Sequence, residues 1–533
     1  MNKPVKVLFA GIARYFGDYN RVVSLGVACL KAYVDSQFSA DAVQAKTVNI
    51  LDNNTAYLLS EIKQFAPDII GFSCFLWNVD FIINVCRELK KNNPSIKIFL
   101  GGPEATGRRI SLLKDCSADA VIIGEGEGPV KDIIERFIQH KDWNGIRGVI
   151  LPSYTDEQSE KELPQILPLE MLPSPYLSKN ALGTAMQSKM FYPFETMRGC
   201  PNRCSYCMWT TLGAKSVRYF PIERIKAELE WMTENTPDTY IFVADSDTFA
   251  NRERAMSLAP LFLKAADEGR LKFIFQTNLK SWNKELMQAY NHPSVELNVG
   301  INTLNPKVQQ LFGRVYTKEF VEENLRKLYE YAPRTKVLIQ MMYACPKETF
   351  ADFCAFFDWA WSIPYFDKMF FHTQLLSGSR ISGMRKELKL TSRKKPPFYI
   401  TSTAECNEQE IKTEEIMILC TAIWMCNPHT EHLFRRFVDE YCNKSFSLAF
   451  LKVWTALSSV EHNTILDFLT YLDSGADRLP DDFQLDVLHD FFVDKNLDLQ
   501  ALFNSANRRT FYAYTISSYL EKFCDIKMRG VLL

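Results

Sequence analysis

Between Val5 and about residue 150, short unbroken apolar runs alternate with stretches in which apolar residues recur every three or four positions. The runs are VKVLFAG, TVNIL, DIIGFSC, KIFLGG and AVIIGEGEG; the helical stretches cover residues 24–33, the segment ahead of Pro67, 79–90 and 129–139. An unbroken apolar run marks a strand buried on both faces, and the three-and-four repeat marks a helix with one buried stripe. Strand and helix alternating at these lengths predict a doubly wound, Rossmann-like parallel sheet over residues 1–150, an α/β domain. Ligands of such sheets sit at the carboxyl ends of the strands, where Ser73, Gly101, Gly102 and the run Gly124, Glu125, Gly126, Glu127 fall. Any one of these glycine groups reads as a plain turn; together at one end of one sheet they predict a ligand.

Residues 151–190 are rich in proline and charge (LPSYTDEQSEKELPQILPLEMLPSPYL) and read as a linker wrapping the surface. Strand and helix alternation resumes over residues 191–376 with TYIFVADS, KFIFQTN, VELNVGIN, KVLIQMMY and MFFHTQLL, and with helices such as 222–234, 318–331 and 350–361. This pattern predicts a partial (β/α)6 barrel of the TIM type, whose chemistry belongs at the carboxyl ends of the strands. Those ends carry Asp245, Ser246 and Asp247, then Gln276, Thr277 and Asn278, then Asn302 and Tyr343, and each alone reads equally as a turn or cap residue. Their recurrence along one rim predicts a binding face, and His372 at the end of the last strand is a candidate to face the substrate. From residue 377 to 533 the apolar repeat is helical (414–425, 429–441, 446–460, 464–472 and 511–523), predicting a helical carboxyl-terminal domain.

Composition narrows the partners. A net charge of -1 gives no electrostatic case for nucleic acid or an anionic membrane surface. The longest apolar run, residues 416–426, falls short of the roughly 20 residues a spanning helix needs, and the amino terminus MNKPVKVLFAGIARYF reads as a first strand rather than a signal peptide. A cytoplasmic protein is expected. Its 14 cysteines, mostly isolated within apolar patterns, suit a reducing compartment.

One group of cysteines is not isolated. In ETMRGCPNRCSYCMW, Cys200, Cys204 and Cys207 stand four and three residues apart, with Gly199 and Pro201 to let the chain curl. Three thiolates can close three corners of a cubane iron–sulfur cluster, leaving the fourth iron to bind something else. A structural zinc site wants four ligands, and the nearest histidines in sequence are His140 and His292. The spacing therefore favours the cluster over zinc and over a chance grouping of thiols.

CPNRCSYC resembles the signature of the radical S-adenosylmethionine (SAM) enzymes. The resemblance implies a [4Fe-4S] cluster on Cys200, Cys204 and Cys207, SAM on the fourth iron, and Tyr206 near the adenine. VADSDTF, with Asp245, is similar to the family's second-strand motif at the methionine end of SAM; Gln276 joins the expected SAM contacts. VGINTL stands where the family often has an Ile-Glu-Thr-like segment, with Asn302 in place of the glutamate, and YACPKETF resembles its Gly-x-Pro-Gly-Glu-Thr turn. Arg314, in FGRVY, is the implied clamp for the SAM carboxylate, with an exposed helix-end cation as the plain alternative. The first domain resembles the cobalamin-binding domain that precedes many radical SAM domains, of the class B methyltransferase type. GFSCFLWN, FLGGPEATG and IIGEGEG carry that likeness. It implies Ser73, Gly101 and Gly102 at the nucleotide tail, Gly124 and Gly126 beside Glu125 and Glu127 at the corrin edge, and Leu76, Trp77 or Asn78 at the lower face of cobalt. The Asp-x-His-x-x-Gly motif is missing and no histidine precedes His140, so cobalamin is expected without a histidine axial ligand.

The resemblance implies a cobalamin-dependent methyltransferase acting on an unactivated carbon of a peptide or small molecule. One SAM methylates cobalamin and a second is cleaved to a 5'-deoxyadenosyl radical, with electrons from an external low-potential donor such as flavodoxin or ferredoxin. Two other readings stay open: rearrangement, cyclisation or epimerisation without methyl transfer, and a non-enzymatic cobalamin or redox sensor.

Overall fold

The computed structural model describes residues 3–13, 23–51, 54–183, 191–210, 216–424, 435–436 and 438–456. The first sheet contains β1 (Val5–Ala13), β2 (Val43–Leu51), β3 (Ile69–Ser73), β4 (Lys97–Gly101), β5 (Ala120–Ile122) and β6 (Val149–Ile150). Their order is β2-β1-β3-β4-β5-β6, with every pairing parallel except the last. Side chains alternate between the two faces as the strand period requires. Leu8, Ala10, Ile70, Phe72, Ile98 and Leu100 pack on one side with the helix Val79–Asn92. Val7, Phe9, Ile69, Phe99 and Ile122 pack on the other with Leu25–Gln37 and Glu127–Ile138. The chain leaves β1 for the edge strand β2 and returns to β3 on the other side of β1. That reversal of direction opens a crevice at the carboxyl ends of the central strands.

The second large sheet contains β7 (Phe191–Phe194), β10 (Tyr240–Val243), β11 (Lys272–Thr277), β12 (Val295–Asn302), β13 (Lys336–Tyr343) and β14 (Asp367–His372). They run in strict chain order, all parallel, as a six-stranded partial barrel. Between β7 and β10 lies a two-rung antiparallel ladder, β8 (Met197–Arg198) against β9 (Arg218–Tyr219), which pairs Arg198 with Arg218. Outward residues of β12 such as Leu297 and Val299 join the core shared with the helices. A bulge between Gly300 and Asn302 ends that strand, with Asn302 at a φ of 68°. The helix Arg252–Glu268 starts on an Asn251 cap and tolerates Pro260 in its interior.

The connector corrects the sequence expectation. Rather than wrapping the surface, it forms the short capped helix Asp156–Lys161 and then buries Leu169, Leu172, Tyr176 and Leu182 in the barrel core. Tyr176 Oη donates to the Pro193 carbonyl of β7. Its alternating prolines and leucines place one apolar residue after another against the barrel, a pattern that periodicity does not flag. Beyond the barrel come β15 (Thr391–Ser392), β16 (Ile400–Ser402), and the helices Glu408–Trp424 and Phe446–Ala456. The expected helices at 464–472 and 511–523, and His429, His432, His462, Cys426 and Cys524, lie outside the described residues. No described helix is long and apolar enough to cross a membrane.

Candidate active site at the junction of the two domains

Gly199 begins the cysteine loop at a φ of 96°, and a Cβ there would meet the Ser216 carbonyl oxygen at 2.5 Å, so only glycine fits. The loop is pinned from several sides. Ser246 Oγ at the end of β10 donates to the Gly199 carbonyl (2.8 Å), Ser205 N donates to Phe312 O (3.2 Å), and Ile381 N donates to Ser205 O (2.9 Å). Cys204 is buried, while Cys200 and Cys207 are half-buried. Burial pushes the Cys207 thiol up to about 11, with Cys204 and Cys200 adding to the rise and a Trp209 backbone contact and Arg314 opposing it. The three thiols are thus near enough to sense one another. Among the described residues no three His, Cys, Asp or Glu side chains converge tightly enough to share a single metal ion. A cubane cluster holds its thiolates further apart than one ion does, so three mutually sensing cysteines on one pinned loop fit the cluster.

Around this loop the barrel mouth gathers several of the predicted SAM contacts. Asn302 Nδ2 donates to Tyr206 Oη (2.8 Å), and the Tyr206 ring packs on Phe312 with centroids 4.7 Å apart. Arg314 is not an exposed helix-end cation. It is part-buried, donating through Nε to Cys204 Sγ (3.1 Å) and through Nη1 to Gly300 O (3.0 Å), where a carboxylate bound beside the cluster would meet it. Gln276 lies lower, on the inner wall.

Asp245 is used differently from its predicted role. Its carboxylate accepts from Thr196 N (2.7 Å), Met197 N (3.1 Å), Thr196 Oγ1 and Thr248 Oγ1 (3.1 Å), so it clamps the cysteine-loop strand to β10 and has no oxygen left for a ligand. Asp247, two residues on, is the open carboxylate. It is buried, its Oδ2 accepts from Ser281 Oγ (2.7 Å), and its Oδ1 has no partner in hydrogen-bonding geometry. Burial pushes it up to about 6, against the Ser281 hydrogen bond, the nearby Arg314 charge and weaker contacts from the Phe249 backbone N–H and the Thr277 hydroxyl. His372 is a second correction. It faces the outer layer, where Nδ1 meets Tyr343 Oη (3.1 Å) and Nε2 meets Ile400 O (2.7 Å).

The glycine-rich strand ends of the first sheet open onto a cavity of about 300 Å³. Ser73, Gly101, Gly102, Gly124, Glu125, Gly126 and Glu127 line it, together with Gly26 and Phe75 from the same domain and Glu195, Arg198, Gly199 and Trp209 from the cysteine loop. A Cβ on Gly26 or Gly101 would meet nothing within 4 Å, so these glycines leave the wall bare on the cavity side. That is a bare wall against which one face of a flat, bulky cofactor such as cobalamin can lie. Trp77 is not part of the lining. It stands 42% exposed and stacks on Phe75 (centroids 4.5 Å, planes 10° apart), and it is the Phe75 ring that meets the cavity. Asn78 is fully buried in its own turn, accepting from Phe75 N and donating to Ser73 O, which turns it away from a ligand.

Glu125 and Glu127 have a role beyond the cavity edge. Arg198 Nη1 donates to Glu127 Oε1 (2.8 Å) and Glu125 Oε2 (3.3 Å), and its Nε donates to Glu195 Oε2 (3.2 Å). Arg218 donates to the other oxygen of Glu125 and to Leu167 O (2.8 Å). The β8–β9 ladder puts the two guanidiniums side by side, so the acidic loop of one domain is bolted to the cysteine-bearing segment of the other. Sequence reasoning missed Arg198 and Arg218, and it placed Asp247 on the rim without telling it apart from Asp245. The one available signal was the pair of glutamates in GEGEG, which demand cations somewhere.

A B12 binding domain model matches residues 19–134, and a Radical SAM superfamily model matches residues 194–360. The chain thus joins a B12 binding domain to a domain of the Radical SAM superfamily, and the cofactors of such domains are cobalamin, SAM and a [4Fe-4S] cluster. Within that class it is similar to the 2-(S-pantetheinyl)-carbapenam-3-carboxylate methyltransferase of Streptantibioticus cattleyicolor, 28% identical over 251 residues, 46% of this chain and 34% of that one. It is also similar to the cobalamin-dependent radical SAM methyltransferase TokK of Streptomyces tokunonensis, 28% identical over 227 residues, 40% of this chain and 33% of TokK. The matched stretch spans about a third of the length of each. Among solved structures, the cobalamin-dependent SAM radical enzyme OxsB with aqua-cobalamin and SAM bound superposes with a TM-score of 0.59 at 15% identity, covering 98% of this chain and 84% of that one, a likeness of fold.

Proposed function

We propose that this chain is a cobalamin-dependent radical SAM methyltransferase that moves a methyl group from SAM by way of cobalamin to an unactivated carbon of a small-molecule or peptide substrate. The observation that carries the reading is the shared cavity: the cofactor-cradling glycines of the first sheet and Arg198, Gly199 and Trp209 of the cysteine loop line one space. When bound, the cluster supplies the electron that cleaves SAM, and cobalamin carries the methyl group. Every other contribution belongs to positioning. Cys200, Cys204 and Cys207 are the residues that would hold the cluster. Arg314 and Asp247 offer a cation and an unfilled carboxylate oxygen for the two charged ends of an amino acid, and Asn302 fixes the Tyr206 ring. Arg198 and Arg218 hold the glycine-rich loop of the first domain against the cysteine loop, which fixes the two cofactor sites relative to each other. None of the described cysteines is in a disulfide, which suits the cytoplasm, where flavodoxin- or ferredoxin-type donors supply low-potential electrons.

The test is anaerobic. The chain is reconstituted with iron and sulfide, then given hydroxocobalamin, SAM and a low-potential reductant, and 5'-deoxyadenosine and S-adenosylhomocysteine are followed beside the cobalamin absorbance. Both products are expected with a base-off cobalamin spectrum, and Cys204→Ala should abolish deoxyadenosine. Deoxyadenosine with no S-adenosylhomocysteine, in protein loaded with cobalamin, would replace methyl transfer by a rearrangement.

A further inference from the structure

Three carboxamides share the inner wall of the barrel. Along β12, Val295, Leu297, Val299 and Ile301 pack outward into the core of the helices, so Glu296, Asn298 and Gly300 face inward. Asn298 is fully buried, and neither its Oδ1 nor its Nδ2 has a hydrogen-bond partner. Two unmet groups on one buried side chain are rare, because an unpaired amide away from water is destabilising. Gln276 stands level with Asn298 on β11, and Gln340 stands level with Gly300 on β13; both are half-buried.

The surroundings say what belongs there. Below, Phe191, Tyr240, Phe242 and Ile274 form an apolar plug, and Glu296 is in register with Lys336. Above, Gly300 has no side chain, and a Cβ there would lie 2.9 Å from Arg314 Nη1. Asn298 is therefore two residues, about 7 Å of strand, beneath the layer where Arg314 meets Cys204. An anion would satisfy Nδ2 and leave Oδ1 unmet; a cation would do the reverse. A neutral group that both donates and accepts satisfies both.

We infer that Asn298, flanked by Gln276 and Gln340, is a specificity-determining contact that takes a neutral amide of the substrate inside the barrel. The inference rests on the reading that the barrel mouth works on a bound substrate. Its test uses the full chain without cofactors and three probes: N-methylacetamide, acetate and methylammonium. Saturation-transfer NMR is expected to give signal for N-methylacetamide above the two ions, and Asn298→Leu is expected to lose it. The same variant should melt at or above the wild-type temperature, because leucine leaves nothing unmet. Equal signals for the three probes, retention of the amide signal in Asn298→Leu, or a melting temperature lowered by more than about 4 °C would overturn the inference. If the variant does not fold, the wild-type selectivity decides alone. Cofactor loading and SAM cleavage are measured separately, so the functional reading can fail while amide binding stands, and the reverse.

Discussion

Two groups of buried and half-buried carboxylates in this molecule are treated in opposite ways. At the seam between the domains, Glu125, Glu127 and Glu195 meet guanidiniums, Arg198 and Arg218. At the far rim of the barrel, Glu348 and Glu414 have only neutral partners. Glu348 Oε1 accepts from Thr303 Oγ1 (3.0 Å) and its Oε2 has no partner in hydrogen-bonding geometry, while Glu414 accepts from Ala344 N (3.0 Å) and Cys406 Sγ (3.6 Å). Burial pushes Glu348 up to about 8 and raises Glu414 well above the carboxylate range, with Glu348 itself adding to the latter. The difference follows from what each place must do. Charge pairing with fixed forks sets a distance between two bodies; a carboxyl that keeps its proton behaves as a hydrogen-bonding core residue.

The contrast breaks first at Arg198. Arg198→Met leaves Glu127 buried without its cation, and chemical denaturation should register a loss of about 3–5 kcal/mol; Arg198→Lys, which keeps the charge and loses the fork, should recover part of it. If Arg198→Met is as stable as the wild type, the seam is not held by charge. Gly102→Val comes next. The residue has a φ of 95°, and a Cβ would lie 2.8 Å from the Cys74 carbonyl oxygen. Strain alone predicts about 1–3 kcal/mol, and a cobalamin titration should show weaker binding by the first domain.

The rim group predicts a pH effect. Because Glu348 holds its proton more tightly when folded than its ordinary 4.5, its contribution is present at low pH and is lost as pH rises through that value to about 8. The melting temperature of the wild type should fall across that window, and Glu348→Gln should flatten the fall. An unchanged slope would mean that the carboxyl is ionised in the native state. The smallest effect belongs to Arg270 and Asp238, an ion pair exposed on both sides. Arg270→Ala should leave the melting temperature where it is, since solvent screens such pairs.

These particulars also mark what was legible in the chain. The strand and helix alternation of both sheets, and the three cysteines on one loop, follow from local pattern, and both appear in the structure at the places the pattern predicts. What was not legible depends on partners far apart in sequence: Arg198 and Glu125 are separated by 73 residues, and Arg218 and Glu125 by 93. No periodicity links such positions. Asp245 and Asp247 look equivalent in VADSDTF, and only the three-dimensional supply of donors shows that one is saturated and the other open. His372 ends a strand as a rim residue should, yet strand parity turns it outward toward Tyr399 and Ile400. The connector misled for the opposite reason: its prolines look like surface, while its leucines and Tyr176 are core.

The β8–β9 ladder has one more consequence. By pairing Arg198 with Arg218 it ties the two ends of the cysteine segment together through the backbone, with no part of the tie made by iron. Closing a loop costs chain entropy, and here that entropy is surrendered when the barrel folds rather than when the cluster assembles. A segment whose ends are tied in this way asks less chain entropy of cluster assembly than one whose ends are free.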